Sequence, residues 1–323
     1  MKAAVQTAYG PPEVVTIMDI PKPAPGPGEV LVRIVATTVT SGDARLRAFR
    51  VPAAFWLPAR LFMGTTKPRK TVLGSEFSGV VEAVGAGVSR LGPGELVFGM
   101  HVYGAHAEYK LVPETAAILS MPDNLDFAEA AALPFGALTA LHFLRQAGIT
   151  PGQKVLINGA SGAVGAFAVQ LARHFGAEVT AVCSGGNAAM VRDLGADHVV
   201  DYTKTDFSST GTLYDMIVDS VNTVSIAQFE RATPPHGQLV AIDAGGRMMA
   251  RAAWHKLTAR RKIIVGVASE RLEDLEILRE LAARNVIRAS IDGRVPLEQI
   301  AQAHARVDTG HKRGAIVVEV SAP

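Results

Sequence analysis

The stretch Lys154-Val-Leu-Ile-Asn-Gly-Ala-Ser-Gly-Ala-Val-Gly-Ala-Phe-Ala-Val-Gln-Leu-Ala172 decides the fold. Val155-Leu-Ile157 is apolar, as in a strand buried on both faces of a parallel sheet. Three glycines follow at intervals of three, and apolar residues then recur at helical spacing. A strand, a glycine turn and a helix in this order are typical of a dinucleotide site, although the usual spacing is G-x-G-x-x-G and a plain tight turn is the alternative. The glycines are Gly159, Gly162 and Gly165.

The small side chains of this loop give the dinucleotide interpretation a physical basis. Glycines let the backbone approach a pyrophosphate closely. The start of the following helix presents unpaired N–H groups and a partial positive charge to the phosphates. We therefore expect a dinucleotide to bind where this strand, turn and helix meet.

Length and composition restrict the remaining classes of protein. A chain of 323 residues, 48% hydrophobic and 19% charged, exceeds a comfortable single core, so we expect two well-packed domains. Its net charge of +2 is too near neutral to indicate nucleic acid or a membrane surface as an obligate partner. No apolar run approaches the ~18 residues that span a bilayer, and the N-terminus lacks the apolar segment of a signal peptide. We expect a cytoplasmic protein.

Short apolar segments alternate with helical segments in the second half of the chain. Such alternation predicts a doubly wound parallel sheet of the Rossmann type, and we expect six strands. The segments are Val155–Ile157, Glu178–Cys183, His198–Asp201, Met216–Asp219, Leu239–Ile242 and Ile263–Val267.

The first 120 residues are instead rich in short strands and Gly/Pro turns, which predict a small barrel or twisted sheet. A final strand at Gly314–Val320 is expected to return to this region. The fold class is therefore α/β, a parallel Rossmann sheet with a discontinuous β-rich domain. We expect the β-rich domain at residues 1–122 and 271–323 and the dinucleotide-binding domain at 123–270.

The segment Ala44–Pro68 fits neither the helical nor the strand period. A long irregular segment in a compact domain is often a binding loop or lid. Its aromatic residues wall an apolar substrate pocket in one interpretation, and pack in a core or an oligomer contact in the other. They are Phe49, Phe55, Trp56 and Phe62.

The end of the second predicted strand bears on the choice of nicotinamide cofactor. Roughly twenty residues beyond the glycines, this fold places either an acid for the ribose 2′-OH or a group that tolerates a 2′-phosphate. The strand ends Val182-Cys-Ser-Gly-Gly-Asn187, without an acid, and Ser184 and Asn187 can donate hydrogen bonds. NADP(H) is therefore favoured over NAD(H). A merely polar turn is the alternative, and Arg192, the nearest cation, is more than a turn away.

Together these segments resemble the medium-chain dehydrogenase/reductase superfamily and, within it, the zinc-independent quinone oxidoreductase-like branch. The resemblance covers almost the whole chain and implies that the β-rich domain is GroES-like. It is carried, in the right order, by Pro25–Arg33, Val72–Gly85, Gly92–Gly99, Gly104–Tyr109, Leu133–Ala140, Gly159–Gly165 and Leu194–Tyr202.

Zinc members of that superfamily use a Cys near the position of Thr40 or Ser41, a His within the Gly-x-Glu element, and a later Cys or Asp. Here the first position is not Cys and the second is Ser75. Cys183 is the only cysteine, so the four-cysteine structural lobe is missing too. A catalytic zinc needs about three protein ligands, and we expect no metal.

The resemblance also assigns site residues. Thr139 helps seat the nicotinamide end, the glycine loop surrounds the pyrophosphate, and Ser184 and Tyr202 lie near the adenosine 2′-phosphate. The family's Val-Asn-x-x-Asp element reads Val39-Thr-Ser-Gly-Asp43 here. Thr40, Ser41 and Asp43 are therefore expected as polar contacts of the catalytic pocket, with a structural cap as the alternative for Asp43. The expected cofactor residues are Thr139, Gly159, Ala160, Ser161, Gly162, Ala163, Val164, Gly165, Ser184, Asn187, Tyr202 and Val267.

These features predict an NADPH-dependent, metal-independent reductase of quinones or α,β-unsaturated carbonyls. Hydride from the nicotinamide adds to the conjugated acceptor, and water protonates the product. The alternatives are a cofactor-binding protein without turnover, and a zinc-free alcohol dehydrogenase or enoyl-thioester reductase. In the resembling family the strand at Ile263–Val267 pairs across a two-fold axis, which implies a homodimer; shielding of this edge within a monomer is the alternative.

Overall fold

The computed structural model describes residues 1–51, 56–242, 245–246, 248–249, 251–252 and 261–322. Phe55, one of the expected aromatic wall residues, lies outside these residues. The chain divides into two compact units. The first unit is Met1–Phe135 together with Glu270–Pro323, and the second unit is Gly136–Ser269.

The strands are β1 (Lys2–Gln6), β2 (Val15–Asp19), β3 (Glu29–Thr38), β4 (Glu76–Val84), β5 (Leu96–Met100), β6 (Tyr109–Pro113), β7 (Ala117–Ser120), β8 (Lys154–Asn158), β9 (Glu178–Cys183), β10 (His198–Asp201), β11 (Met216–Asp219), β12 (Gln238–Ala241), β13 (Lys262–Val265), β14 (Ile291–Pro296) and β15 (Ala315–Glu319).

The α-helices are α1 (Ser41–Ala48), α2 (Trp56–Met63), α3 (Phe127–Ala131), α4 (Pro134–Ala147), α5 (Ala163–His174), α6 (Ala188–Asp193), α7 (Ile226–Ala232), α8 (Leu272–Ala283) and α9 (Ile300–Asp308). Short 3-10 turns occupy Pro12–Val14, Gly185–Asn187, Phe207–Ser209 and Leu297–Gln299.

The second unit is built on one parallel sheet in the order β10-β9-β8-β11-β12-β13. The central strand β8 is buried on both faces, because Val155, Leu156 and Ile157 are fully inaccessible to solvent. The chain runs outward from β8 through β9 to β10 and then returns to β11 on the other side of β8. This reversal creates a crevice at the carboxyl ends of the strands, the usual ligand position of such sheets. The predicted six-stranded parallel sheet is confirmed.

The first unit carries a sheet in the order β14-β15-β3-β4-β5-β7, and β6 also pairs with β3. The C-terminal strand β15 pairs antiparallel with β3, with Val317 opposite Thr38, so the chain does return to this unit. Strand β14 was not expected, because Asp292, Gly293 and Pro296 in it oppose strand formation. Its parallel pairing with β15 makes it a strand.

The border between the units falls after Phe135, whereas the sequence places the domain limit after residue 122. The physical reason is that α3 packs against β3 and β4 of the first unit. The domain limits themselves stay a prediction.

The segment 44–68 is not irregular as expected, because it contains most of α1 and all of α2. α1 begins at Ser41, since Thr40 and Asp43 form a capping box. It ends at Phe49, which adopts a left-handed conformation with a φ of 52°. These local signals override the weak periodicity of the segment.

Candidate functional site

The glycine loop after β8 packs closely against the start of α5. Gly159 adopts a φ of +78°, a conformation that favours glycine. A Cβ atom on Gly165 would lie 2.1 Å from the carbonyl oxygen of Gly159, so α5 approaches the turn too closely for any side chain. Gly162 precedes α5 and offers no side-chain cap to its first N–H groups. These N–H groups point out of the helix start, where a phosphate can accept hydrogen bonds.

Asn187 joins two other predicted cofactor residues. Its Nδ2 donates to Ser161 Oγ at 3.0 Å and to Ser184 Oγ at 3.2 Å. Its Oδ1 is buried and accepts no hydrogen bond from the described part of the chain. The amide of Tyr202 donates to the carbonyl of Cys183 at 3.2 Å, which places Tyr202 beside the end of β9. The structure therefore gathers Ser161, Ser184, Asn187 and Tyr202 near the carboxyl end of β9.

An acid that the sequence did not lead us to expect lies at this same end. Asp201 is paired in register with Cys183, and a Cβ on Gly185 would lie 2.6 Å from its carboxylate. Hydrogen bonds from the hydroxyl and amide of Thr203 hold the pKa of Asp201 below its usual value, so it is ionised at neutral pH. The ammonium group of Lys204 lies 3.9 Å from the same carboxylate. Lys204 is therefore a cation near the carboxyl end of β9 that the sequence alone did not indicate.

Thr139 and Val267 lie on other elements of the second unit. Thr139 is buried on α4, whereas Val267 follows β13 and is 92% exposed. The ring Nδ1 of His142 on α4 lies 3.1 Å from the hydroxyl of Ser269, two residues beyond Val267. That contact ties the helix of Thr139 to the segment of Val267. Within the described residues, no hydrogen bond connects either residue to the Asn187 cluster.

A buried network holds the loop after β11 next to the glycine turn. Asn158 Nδ2 donates to Asp219 Oδ1 at 2.9 Å, and Asp219 also accepts the amides of Val221 and Val224 at 3.2 and 2.8 Å. Val221 closely covers the turn, because a Cβ on Gly159 would lie 2.6 Å from its side chain. We missed Asn158 and Asp219 in the sequence because polar residues at strand ends are common and carry no distinct spacing.

In the first unit, Thr40 and Asp43 cap α1. Asp43 Oδ2 accepts the amide of Thr40 at 2.8 Å and its hydroxyl at 2.6 Å, while the amide of Asp43 donates to Thr40 Oγ1 at 3.1 Å. Asp43 Oδ1 accepts the amide of Gly74 at 3.1 Å. Both residues are buried, whereas Ser41 is exposed. The structure places Asp43 as a helix cap that also fixes the loop at Gly74.

Glu76, at the start of β4, is a buried acid. Its carboxylate accepts hydrogen bonds from the hydroxyl of Thr38 and, at 2.7 Å, from the amide of Phe135. Burial raises the pKa of Glu76 to about 7, although both hydrogen bonds oppose the rise. Burial thus favours the protonated form of Glu76 far more than in an exposed glutamate.

Lys110, on β6, is a buried base. Its Nζ donates to the carbonyl of His101 at 2.6 Å and lies 5.1 Å from the centroid of the Phe77 ring. Burial lowers the pKa of Lys110 to about 7, and the carboxylates of Asp43 and Glu270 limit the fall. The carboxyl group of Glu76 and the amino group of Lys110 are thus both buried within the first unit.

Replacement of Lys110 by methionine is expected to change how stability depends on pH. The unfolded chain binds one more proton than the folded chain between pH about 7 and the ordinary lysine value of 10.5, so the unfolding free energy rises with pH in this window. One proton corresponds to about 1.4 kcal/mol per pH unit. From neutral to mildly alkaline pH, the unfolding free energy measured with urea should therefore rise by about 2 kcal/mol more in the wild-type protein than in Lys110→Met. Lys312, whose pKa burial lowers to about 8, contributes equally to both proteins. The exposed-lysine variant Lys154→Met should keep the wild-type slope, and an equal slope in all three proteins would contradict this account.

Known proteins that resemble this chain identify its family. A family model described as an alcohol dehydrogenase GroES-like domain matches residues 26–123, and one described as a zinc-binding dehydrogenase matches residues 194–318. The chain is 31% identical to quinone-oxidoreductase QR1 of Triphysaria versicolor, over 94% of this chain and 93% of that protein. The chain belongs to the medium-chain dehydrogenase/reductase superfamily.

Two further relatives place this medium-chain reductase in the quinone oxidoreductase-like branch. The NADPH-dependent alkenal/one oxidoreductase of Arabidopsis thaliana is 29% identical over 98% of this chain and 79% of that protein. The solved structure of the quinone oxidoreductase from Coxiella burnetii superposes with a TM-score of 0.88 at 28% identity, over 99% of both chains. The predicted superfamily, branch and fold class, including the GroES-like domain, are confirmed.

The described residues of this medium-chain reductase bear on metal binding and on membrane spanning. The described residues contain no group of three His, Cys, Asp or Glu side chains arranged to hold a metal ion. The hydroxyl of Thr40 donates to the carboxylate of Asp43 at 2.6 Å. Among the described helices, none has the length and apolar character needed to cross a bilayer.

Proposed function

We propose that the chain reduces quinones and α,β-unsaturated carbonyls by hydride transfer from NADPH, without a metal. The observation that carries the proposal is the glycine turn, where Gly159 and Gly165 leave room only for backbone and α5 starts uncapped. The names of the relatives, a quinone oxidoreductase and an NADPH-dependent alkenal/one oxidoreductase, support the choice of acceptor and cofactor.

NADPH, when bound, supplies the hydride; the chain supplies binding and orientation. The loop Gly159–Gly165 holds the pyrophosphate, and Ser161, Ser184 and Tyr202 contact the adenosine end. Asn187 orients the two serine hydroxyls through its Nδ2 and offers its buried Oδ1 as an acceptor. Thr139 and Val267 contact the nicotinamide end.

In the first unit, the capping box of α1 positions the polar groups that face the acceptor. Thr40 and Ser41 supply polar contacts, and Asp43 acts through them as a positioning residue, because both of its oxygens already accept hydrogen bonds. Glu76 and Lys110 are enclosed and bonded within the unit. Water is therefore the proposed proton source for the reduced acceptor, whose conjugation spreads the negative charge.

Turnover tests this proposal. The purified chain is incubated with NADPH or NADH and with phenanthrenequinone, benzoquinone or a simple enone, in the presence of a chelator, while absorbance of the reduced cofactor is followed. We expect oxidation of NADPH that depends on the acceptor and survives the chelator. Cofactor binding without turnover on any acceptor would instead favour a cofactor-binding protein, and loss of activity with the chelator would disprove metal independence.

Lys204 is expected to set the preference for NADPH. Removing its ammonium group leaves the ionised Asp201 to repel the 2′-phosphate. Lys204→Ala should weaken NADPH binding by about tenfold, as expected for one lost charge-assisted contact, and leave NADH binding unchanged. Fluorescence titration of both cofactors measures this. Lys154→Ala, at the opposite end of β8, is the control, and equal losses for NADPH and NADH in Lys204→Ala would contradict the assignment.

We also propose that β13 pairs with its copy in a homodimer. It is an edge strand of the six-stranded sheet, so its outer N–H and C=O groups face no strand among the described residues. Sedimentation velocity tests this, and a monomer at all concentrations would exclude it. The cytoplasmic location expected from the sequence stays a prediction.

A further inference from the structure

Helix α2 turns an apolar face toward the solvent. Leu57, Leu61 and Phe62 are 62%, 58% and 81% exposed and lie within an arc of about 140° on the helix. Pro58, the other residue of that arc, is exposed too. Surface helices normally show their polar side to water, so the pattern of α2 is reversed. An exposed apolar patch of this kind marks an interaction site.

The inner face of α2 explains why the helix keeps this orientation. The guanidinium of Arg60, the only charged group of the helix, lies 3.9 Å from the ring centroid of Phe49, 4.7 Å from Tyr9 and 5.2 Å from Trp56. These are cation–π distances. The hydroxyl of Tyr9 donates to the carbonyl of Met63 at 3.0 Å. The charge therefore points inward by specific contacts, and the apolar residues are left outside.

A basic turn adjoins the carboxyl end of α2. The amide of Arg69 donates to the carbonyl of Met63 at 2.8 Å, which folds the turn back on the helix. Lys67, Arg69 and Lys70 are all exposed. The sequence contains no Asp or Glu between Asp43 and Glu76. The exposed apolar residues and the exposed cations thus follow one another directly in a segment that has no acidic side chains.

We propose that this surface, α2 with the turn 64–70, docks on an anionic lipid bilayer. Leu57, Leu61 and Phe62 enter the boundary between headgroups and acyl chains, and Lys67, Arg69 and Lys70 contact the headgroup phosphates. The near-neutral net charge, from which no membrane partner was expected, is an average over the whole chain and does not describe this segment, which has no acidic side chains. The inference does not rest on the enzymatic activity.

Charge complementarity favours lipid over a second copy of the chain. A two-fold contact through this surface sets the same patch against itself, which brings the cations of Lys67, Arg69 and Lys70 together without acids of this segment to balance them. An anionic bilayer offers acyl chains to the apolar side chains and headgroup phosphates to the cations. A helix of two turns inserts shallowly, so binding is reversible and falls as salt rises.

Co-sedimentation with vesicles tests the proposal. The full chain is mixed with vesicles of phosphatidylcholine alone or of phosphatidylcholine with phosphatidylglycerol. We expect binding to the anionic vesicles only, weakened by salt, and reduced about tenfold in Leu61→Ser/Phe62→Ser and in Lys67→Ser/Lys70→Ser. The control is Leu213→Ser, which removes a leucine 51% exposed on the second unit and should bind as the wild type does.

Three results would overturn the proposal. One is the absence of wild-type binding to anionic vesicles. Another is vesicle binding that both double variants retain in full. The third is self-association that the Leu61→Ser/Phe62→Ser variant loses while no protein binds vesicles, which would assign the surface to a second copy. Circular dichroism spectra of all variants show whether each is folded.

Discussion

Replacing Asp308 by alanine is expected to lower the free energy of unfolding by about 3–5 kcal/mol, the cost of leaving a buried charge without its partner. Arg47 on α1 is fully buried, and its Nη2 donates to Asp308 Oδ2 on α9 at 2.5 Å. Its Nε and Nη1 are buried without a hydrogen-bond partner among the described residues. The carboxylate of Asp308 is therefore the only acceptor that the described chain offers to this guanidinium. Urea unfolding measures the loss.

Arg50 provides a matched control for this prediction. It binds the same carboxylate of Asp308, but its side chain is 54% exposed. Arg50→Ala should therefore cost under about 1 kcal/mol, as for surface ion pairs. The double variant Arg47→Met/Asp308→Leu, which removes both charges, should recover much of the loss caused by Asp308→Ala. Similar losses in Asp308→Ala and Arg50→Ala would mean that Arg47 has another way to satisfy its charge.

The second large effect is expected at Gly165. Its added Cβ in Gly165→Ala would lie 2.1 Å from the carbonyl oxygen of Gly159 and 2.8 Å from the Cα of Ala160, so α5 must move away from the turn. Displacement of about 1 Å at a site that depends on positioning costs on the order of 100-fold. We expect NADPH binding, measured by fluorescence titration, to weaken by at least about that factor.

Gly293 is the control for this substitution. A Cβ there meets no atom within 4 Å, and Gly293 lies in the first unit. Gly293→Ala should bind NADPH as the wild type does. Unchanged NADPH binding in a folded Gly165→Ala protein would show that the glycine loop does not hold the pyrophosphate.

Features that depend on neighbouring residues could be predicted from the sequence. Local sequence patterns predict the glycine loop and the six strands of the second unit. An apolar run such as Val155–Ile157 indicates a strand, and Gly159 indicates the turn that follows it. The capping box at Thr40 and Asp43 is also local, yet the mixed composition that follows it masked α1 and α2. A Thr-x-x-Asp pattern is a variant of the helix-start signal, and it could have been used here.

Features that join distant segments could not be predicted from one sequence. Asp308 is 261 residues from Arg47, and the local sequence around either residue does not indicate that the two form an ion pair. Asp201 reaches Gly185 only because β10 pairs with β9 in one register. Lys110 shares an inward face with Val112 on β6, and one lysine in a strand does not reveal which way it points. These contacts depend on which distant segments pair, and such pairing produces no periodic pattern in the sequence.

The position of β15 has a consequence for the order of events during synthesis. β15, which pairs with β3 at Ala36–Thr38, is synthesised long after β3 and β4, because it lies at residues 315–319. Until then the Ala36–Thr38 part of one β3 edge has no partner strand, whereas β6 pairs with Glu29–Arg33 of β3. The second unit, by contrast, is continuous in the chain and complete by Ser269. The nascent polypeptide therefore completes its second unit before its first, and it carries this short unpaired part of the β3 edge through that interval.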